Sequence, residues 1–235
     1  MPLDQMSSLW IGDRLSCLER MSIISFLRVG HPYDLYVYSN IEGIPDGVNV
    51  KDARSILPES DIFCYENGSP AAFANLFRYA LLRDRDSWWV DTDVICLKPF
   101  VFDAPVVIGA QNGAEAWDWV NNAVLRLPAK EADELYQLAK AKGRNVSWGQ
   151  CGPILLTSFV KSHNWHGYVQ GRDVFYPVPW GSWRDLYEGA KGIPIHGAHA
   201  LHLWNEMLRK NCMDKYADYP TTSVYQQLRE RLLGK

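Results

Sequence analysis

The sequence lacks the features that mark membrane-spanning proteins and disulfide-rich secreted proteins. No apolar run is long enough to span a bilayer, and no basic segment followed by an apolar core and a cleavage site stands at the N-terminus. The five cysteines are odd in number and show no Cys-x-x-Cys spacing, so neither a disulfide framework nor a cysteine zinc site is predicted. We therefore expect a soluble, cytoplasmic protein with at most peripheral membrane contact.

The sequence also lacks an excess of either charge. It has 24 Lys and Arg residues against 27 Asp and Glu residues, a formal net charge of -3 over 235 residues. Nucleic acid is therefore not an expected partner. The length suits one substantial α/β domain, or one such domain with a small appendage. Ten tryptophans and twelve tyrosines are many for this length, and most of them are expected to fill the core.

Two carboxylates follow an apolar run near the middle of the chain. The run at residues 88–90 leads to Asp91 and Asp93, and a second apolar run follows at residues 94–97. If strand geometry persists, alternation places both carboxylates on one face. Carboxylates so close repel each other, and a hard divalent cation such as Mn²⁺ or Mg²⁺ would neutralise both. The pattern predicts a clamp for a metal and a diphosphate, with a surface loop or a structural ion pair as alternatives.

A helix predicted over residues 71–82 is apolar nearly all round and must therefore be buried. Ser69 and Pro70 before it suit the N-cap and the first helical position. Its polar residues Asn75 and Arg78 share one face because they stand three apart. A buried guanidinium needs a partner, which is either a carboxylate of the Asp-x-Asp pair or an anionic ligand.

The opening of the chain reads as strand, helix and strand. Residues 8–12 predict a strand that ends in glycine, residues 16–29 a helix that ends at Gly30, and residues 35–38 a second strand. Ligands of such sheets bind beyond the carboxyl ends of the strands. The residues expected at that crevice are Trp10, Ile11, Gly12, Tyr38 and Ser39.

Further elements are predicted downstream. Strands are expected at residues 48–50 and 106–110, and helices at residues 129–142, 154–160 and 222–233. Gln150 stands just before the helix at residues 154–160, where it either lines a reaction centre or is an ordinary loop glutamine.

Three histidines at positions 196, 199 and 202 could suggest zinc. Pro194 and Gly197 argue against a helix that would align them, and strand residues three apart face opposite ways. Hydrogen-bonded structural roles are favoured for His196 and His199.

The chain resembles the glycosyltransferase 32 family in several motifs. They are Asn75-x-x-Arg78-Tyr79-x-Leu81, Trp89-Val90-Asp91-Thr92-Asp93-Val94, Leu97-Lys98-Pro99 and His202-Leu203-Trp204-Asn205. That family shares its core motifs with the α1,4-galactosyltransferases and the glucosylating bacterial toxins. The resemblance implies an α/β GT-A fold, a Rossmann-like mixed sheet with helices on both faces. This chain departs from many members in having Asn75 rather than Asp, and Asp86-Ser87 rather than Gly-Gly.

The resemblance also implies roles for individual residues. Asp93 and His202 would bind the metal, Mn²⁺ or Mg²⁺, with Asp91 contacting the metal and the donor ribose. The expected catalytic residues are Asp91, Asp93 and Gln150. The expected donor-binding residues are Trp10, Ile11, Tyr38, Asn75, Arg78, Trp89 and Asp91. For Trp10, core packing is the alternative to stacking on the base. The segments at residues 117–123, 152–157 and 175–183 resemble those that line the acceptor side and the reaction centre.

The implied activity is retaining, metal-dependent transfer of a hexose from a nucleotide diphosphate sugar, such as UDP-galactose or UDP-glucose. The acceptor would be a glycan or a lipid-linked glycan, as in surface polysaccharide synthesis, and no dedicated base would be required. Residues 1–205 would form the catalytic domain, with the nucleotide-sugar part at about 1–110 and the acceptor part at about 111–205. Residues 206–235 would be a helical extension packed on the core.

Two other functions remain open from the sequence. One is an inactive homologue or a binding protein for carbohydrate or nucleotide sugar. The other is a phosphatase of the haloacid dehalogenase type, in which Asp-x-Asp supplies the nucleophile and the acid. That type has Thr or Val two positions after the second Asp, where this chain has Ile95, and it gives the Arg78 helix no role.

Overall fold

A seven-stranded mixed sheet forms the centre of the molecule, whose computed structural model describes residues 3–111, 119–189, 193 and 195–234. The strands, in chain order, are β1 (Met6–Trp10), β2 (Tyr33–Val37), β3 (Asn49–Asp52), β4 (Trp88–Val90), β5 (Val94–Cys96), β6 (Val107–Ala110), β7 (Val120–Arg126), β8 (Val169–Gln170) and β9 (Ala200–His202). In space the large sheet has the order β3-β2-β1-β4-β7-β6-β8, and β5 pairs with β9 in a separate two-stranded sheet. Strands β1 to β4 run parallel, while β7 is antiparallel to both β4 and β6.

Helices cover both faces of this sheet. The described α-helices are α1 (Cys17–Val29), α2 (Ala71–Asp84), α3 (Ala129–Ala141), α4 (Pro153–Ser162), α5 (Arg172–Phe175), α6 (Asp185–Glu188), α7 (Asn205–Lys210) and α8 (Val224–Leu233). Helices α1 and α8 share one hydrophobic cluster with the sheet, and α2, α3 and α4 share another. Neighbouring strand residues alternate between the two clusters, as Trp88 and Trp89 do. The predicted α/β architecture with helices on both faces is confirmed.

Most predicted elements are present with shifted ends. The first strand lies two residues earlier than predicted, and the second covers residues 33–37 rather than 35–38. Helix α1 follows its predicted caps: Ser16 and Glu19 form a reciprocal capping box, and Gly30 ends the helix at a φ of 105°. Strand β7 was not predicted.

The start of α2 corrects a predicted cap by one residue. The helix begins at Ala71, so Pro70 rather than Ser69 holds the N-cap position. Pro70 has a ψ of 4°, and the Ser69 hydroxyl lies 3.4 Å from the Ala71 amide, a long contact. The N-cap residue of α2 thus makes no side-chain cap hydrogen bond.

The C-terminal segment packs against the main body. Arg28 on α1 donates hydrogen bonds to the Arg231 and Leu232 carbonyl oxygens of α8 at 2.7 and 3.0 Å. Lys215 reaches the fully buried Glu19 carboxylate on α1 at 2.7 Å. A domain boundary at residue 205 stays a prediction. None of the helices in the described ranges is long and apolar enough to cross a bilayer, and the cytoplasmic location also stays a prediction.

Gly109 allows β6 to approach the rings of α5 and the residue after it. A Cβ atom at this position would lie 2.5 Å from a Tyr176 ring carbon and 2.9 Å from a Phe175 ring carbon. Both rings are fully buried, and the register of β6 against β7 shifts between Ile108 and Gly109. The register shift in β6 and the absence of a side chain at Gly109 therefore both accommodate the close contact between this strand and the two rings.

We expect Gly109→Ala to lower the free energy of unfolding by about 1–3 kcal/mol, because the buried rings must move to admit the methyl group. Chemical denaturation measures the change. Gly167→Ala is the matched control, since a Cβ atom there meets no other atom within 4 Å. Equal stability of the two variants would contradict this account of β6.

Candidate active site

The Asp-x-Asp pair lies in a turn between the two sheets. Strand β4 ends at Val90, the Asp91 amide donates to the Ala123 carbonyl oxygen at 2.8 Å, and the Val94 amide donates to the Asp91 carbonyl oxygen at 3.1 Å. Strand geometry therefore does not persist through both carboxylates, and the alternation considered from the sequence does not apply. The turn directs the chain out of the large sheet, and it is this turn that brings both carboxylates to one site.

Asp93 is fixed by the segment that follows β9. His202 lies opposite Val94 in the register of β5 and β9, and its Nε2 atom is 3.1 Å from Asp93 Oδ1. The Asn205 amide donates to Asp93 Oδ2 at 2.9 Å, and the Leu203 amide donates to the Asp93 carbonyl oxygen at 2.8 Å. Burial raises the pKa of the Asp93 carboxyl, but the attraction of His202 and these hydrogen bonds outweigh it, so the pKa lies below its ordinary value.

Asp91 is fixed by the apolar helix α2 and by its own strand. Arg78 and Trp89 each donate to Asp91 Oδ1, from Nη2 and Nε1, at 2.6 Å. Arg78 also donates to Asn75 Oδ1 at 2.6 Å, and Asn122 donates to the same oxygen at 2.8 Å. The guanidinium lies 4.8 Å from the centre of the Trp89 ring. The partner of buried Arg78 is therefore Asp91, the carboxylate alternative that the sequence left open.

Asp91, Asp93 and His202 could together hold a metal ion. One ligand atom from each lies within 4.8 Å of the others, and His202 Nδ1 is buried without a hydrogen-bond partner among the described residues. Two carboxylates and an imidazole suit a divalent cation such as Mn²⁺ or Mg²⁺.

The histidine cluster considered for zinc is not formed. His199 Nδ1 lies 3.0 Å from the Pro99 carbonyl oxygen, and the His199 ring packs 5.0 Å from the ring of Phe102. Within the described part of the chain, the metal-capable group includes His202 but not His196 or His199. The structural role predicted for His199 is confirmed.

Two pockets meet at the carboxylates. The first, which we call the sheet-edge pocket, has a volume of about 410 Å³ and lies where β1 and β4 end. The second, which we call the tryptophan pocket, has a volume of about 510 Å³. The tryptophan pocket is lined by Trp119, Trp148, Trp180 and Trp204, among others. Residues that line both pockets are Asp91, Asp93, Trp148, Pro153 and Glu206.

Most of the predicted donor-binding residues line the sheet-edge pocket. They are Trp10, Ile11, Asn75, Arg78, Trp89 and Asp91. Because β1 and β4 run parallel, Trp10 at the end of one strand and Asp91 just after the other meet at the same edge. Two helix N-termini also open there, those of α2 and α4, and neither has an acidic residue in its first turn. Their partial positive charge favours an anionic ligand.

Tyr38 and Gln150 line neither pocket. The Tyr38 hydroxyl donates to the Leu57 carbonyl oxygen at 2.9 Å, and its side chain is buried in the cluster beneath α2. Gln150 Oε1 accepts from the Ser147 amide at 3.0 Å, so this side chain closes its own loop. The structure does not bring either residue to the carboxylates.

Gly152 packs the start of α4 against the polar centre of the site. A Cβ atom here would lie 3.0 Å from both polar atoms of the Asn75 amide group and 3.1 Å from Asn122 Nδ2. The predicted close approach of the Gly-Pro backbone therefore occurs, but toward Asn75. Of the segment at residues 117–123, Asn121 and Asn122 lie on β7, whereas Trp117 is outside the described residues.

Sequence reasoning missed the charged residues that follow the His-x-Trp-Asn motif. Glu206, Arg209 and Lys215 line the sheet-edge pocket. Arg209 donates from Nε and Nη2 to both carboxylate oxygens of Glu206, at 2.8 and 2.7 Å. Lys215 Nζ lies 5.3 Å from the centre of the Trp10 ring. The i, i+3 spacing of Glu206 and Arg209 directly after the motif was the available signal.

The chain was compared with known families and structures. Residues 139–231 match the Alpha 1,4-glycosyltransferase conserved region, a segment that includes His202. The predicted resemblance is confirmed. The match does not extend to the Asp-x-Asp pair, whose position comes from the structure. No curated protein sequence matches the chain significantly.

Solved glycosyltransferases share the fold. The PaToxG glycosyltransferase aligns with a TM-score of 0.50 and 16% identity, over 68% of this chain and 69% of that one. GlyE of Streptococcus pneumoniae TIGR4 aligns with a TM-score of 0.53 and 13% identity, over 97% of this chain and 60% of GlyE. At such identities the likeness shows the fold alone, and it fits the predicted GT-A architecture. The chain spans about 60% of the length of GlyE.

We expect Arg78→Met to lower the free energy of unfolding by about 2–3 kcal/mol, because Asp91 and Asn75 lose a buried charged partner. Thermal or urea unfolding measures it. Arg14→Met is the matched control, since the Arg14 and Glu42 side chains are 64% and 73% exposed and such pairs contribute little. A loss in the control as large as that in Arg78→Met would show that burial of the ion pair is not the cause.

Proposed function

We propose that the chain is a retaining, metal-dependent glycosyltransferase that moves a hexose from a UDP-sugar, such as UDP-galactose or UDP-glucose, to a glycan hydroxyl. The observation that carries the proposal is the position of Asp91 and Asp93 at the junction of two pockets. A group transferred between two substrates must be exchanged where both can reach it. The match of residues 139–231 to the Alpha 1,4-glycosyltransferase conserved region supports the same reaction class.

The sheet-edge pocket suits the nucleotide diphosphate sugar. Trp10 is only partly buried at the end of β1, and its indole Nε1 has no partner among the described residues. It offers a ring face to a base, while the partial positive charge at the N-termini of α2 and α4 favours phosphate oxygens. Arg78 and Asn75 lie between these features and the carboxylates, where they would orient the sugar.

The chemical need at the junction is stabilisation of the departing diphosphate. A divalent cation bound by Asp93 and His202, with Asp91 beside it, would act there as a Lewis acid. Arg78 and Trp89 both occupy Asp91 Oδ1, so Asp91 Oδ2 meets no hydrogen-bond donor of the described residues. These contacts hold the Asp91 carboxylate in one orientation before any ligand arrives.

Retention of configuration is proposed from the family resemblance. It implies that the acceptor attacks on the face from which the diphosphate departs, and that the departing phosphate takes the acceptor proton. This chain then needs no base of its own. Glu206, which lines both pockets, is already held by Arg209 through both carboxylate oxygens.

Calorimetry with a panel of nucleotide sugars, with Mn²⁺ and with a chelator, tests the proposal. We expect one UDP-sugar to bind in the presence of Mn²⁺, and Asp93→Asn to weaken that binding by about 100-fold or more. The variant keeps the shape of the side chain but removes the charge that faces the metal. Asp103→Asn, in an exposed loop, is the control and should bind as the wild type does.

Either of two results would overturn part of this proposal. If no nucleotide sugar binds to the wild type with Mn²⁺ present, the transferase assignment fails. If Asp93→Asn binds as tightly as the wild type, the donor is held but the metal role of Asp93 is wrong.

The ring of Trp10 is expected to bind the base. We predict that Trp10→Ala weakens UDP binding by about tenfold or more, since stacking contributes roughly 1–3 kcal/mol per base, and that Trp10→Phe retains most of it. Titration of both variants with UDP and with inorganic diphosphate separates the base from the phosphates. Unchanged UDP affinity in Trp10→Ala would place the base elsewhere.

A further inference from the structure

We propose that the tryptophan pocket binds a neutral oligosaccharide acceptor across at least two sugar rings, with Trp180 as the platform for the outer ring. This inference rests on the proposed transferase function and names the substrate class of the second pocket. It is carried by the exposure of the tryptophans, the depth of the pocket and the charges that line it.

Two of the tryptophans in this pocket are unusually exposed. Trp148 and Trp180 are 50% and 46% exposed, whereas Trp88, Trp89 and Trp183 are at most 4% exposed. Large apolar rings that face solvent together at one concave surface mark a binding site rather than a core. An indole ring also suits the C–H face of a pyranose, which is flat and apolar.

The Trp180 ring lies at the surface, with nearly half of the residue exposed. Its backbone lies in a short turn after Pro179, held by a hydrogen bond from the Ser182 amide to the Pro179 carbonyl oxygen at 2.9 Å. Within the described residues the ring has no aromatic or cationic partner. The backbone thus fixes the position of a ring whose face remains open to a ligand.

The pocket is deeper than a single sugar site. Trp204 packs 4.1 Å from the His202 ring and is only 7% exposed, so it marks the end beside the carboxylates. Exposure then rises to 46% at Trp180, which marks the rim. A sugar bound beside Asp93 would occupy the buried end, and a second ring would lie toward Trp180 at the rim. The volume of about 510 Å³ lies within the usual range for ligand pockets.

The charges in the pocket favour a neutral ligand. Asp91, Asp93 and Glu206 line it, and Lys210 is the lining cation among the described residues. Lys210 Nζ is already 3.8 Å from Glu206 and 5.3 Å from the Trp148 ring centre. Within the described lining of the pocket, an acidic sugar would therefore find no free cation to pair with.

Polar groups suited to sugar hydroxyls lie on the pocket floor. Gln111 and Asn121 are 6% and 7% exposed, and Asn121 donates its side-chain N–H to Gln111 Oε1 at 2.8 Å. This contact orients both amides and uses the Gln111 oxygen as the acceptor. The N–H groups of Gln111 have no partner within the described residues and can donate to a hydroxyl.

The test measures the direct binding of saccharides to the protein. Ligand-observed NMR and tryptophan fluorescence detect the binding. The probes are galactose and glucose, the disaccharides lactose, maltose and cellobiose, and the acidic trisaccharide sialyllactose. The proteins are the wild type, Trp180→Ala, Trp180→Phe and the control Tyr168→Ala. Tyr168 is an exposed aromatic residue that lines neither pocket.

We expect at least one neutral disaccharide to bind the wild type about tenfold more tightly than its monosaccharides, a difference of about 1.4 kcal/mol. Trp180→Ala should reduce that affinity to the monosaccharide value, Trp180→Phe should retain part of it, and Tyr168→Ala should change nothing. Sialyllactose should bind more weakly than lactose. The inference is overturned if no disaccharide binds, if Trp180→Ala binds as the wild type does, or if sialyllactose binds as tightly as lactose.

Calorimetry of the same variants with Mn²⁺ and the nucleotide sugars separates this inference from the proposed function. Trp180 lines the tryptophan pocket but not the sheet-edge pocket, so Trp180→Ala should bind the donor as the wild type does. Donor binding without any effect of Trp180 on saccharides would overturn the acceptor inference and leave the transferase proposal standing. Loss of donor binding in the wild type would reject the transferase proposal.

Discussion

The buried charge of Arg78 is the constraint on which the site depends. Its side chain lies in the apolar helix α2, where water cannot solvate it, so its charge must be matched by groups of the protein. Asp91 and Asn75 supply that match, and the contact with Asp91 ties α2 to the turn after β4. Because Trp89 donates to the same Asp91 oxygen, the carboxylate is held from two directions. The ion pair that balances the buried charge of Arg78 would therefore also preorganise Asp91 for the proposed metal site.

The small sheet of β5 and β9 supplies the rest of the geometry. Their antiparallel register places His202 opposite Val94, one residue after Asp93 in the chain. The turn that leaves the large sheet therefore meets His202, which stands 109 residues after Asp93 in the chain. The left-handed conformation of Trp204, with a φ of 55°, then turns the chain so that the Asn205 amide caps Asp93. This backbone conformation is uncommon for a bulky residue and fits a functional turn.

Local signals predicted those elements whose cause is local. The capping box of Ser16 and Glu19 and the glycine that ends α1 are visible within a short segment of the sequence. The apolar residues all round α2 predict that this helix is buried and that Arg78 needs a partner. Tyr38 and Gln150 could not be placed in this way. Tyr38 follows a strand end, but the side chain lies on the face covered by α2, and which face a residue takes at a strand end depends on the final register.

The same limit applies to the C-terminal segment and to β7. Residues 206–235 predict a helical extension packed on the core, but no local pattern indicates that Lys215 lies 5.3 Å from the centre of the Trp10 ring. Strand β7 joins the parallel and antiparallel parts of the large sheet, a pairing between distant segments that no short motif encodes. The parts of the site that local sequence patterns do not predict are those formed by contacts between residues far apart in the chain.

The neutral amide at position 75 follows from the charge balance around Arg78. Asn75 Oδ1 accepts from Arg78 and from Asn122, and a Cβ atom at position 152 at the start of α4 would lie only 3.0 Å from the Asn75 amide group. A carboxylate at position 75 would accept the same two hydrogen bonds, but it would add a second negative charge beside Asp91 with one guanidinium to balance both. The amide gives the same contacts without that charge. The departure at Asn75 is therefore consistent with an intact site, because Asp91 already matches the charge of Arg78.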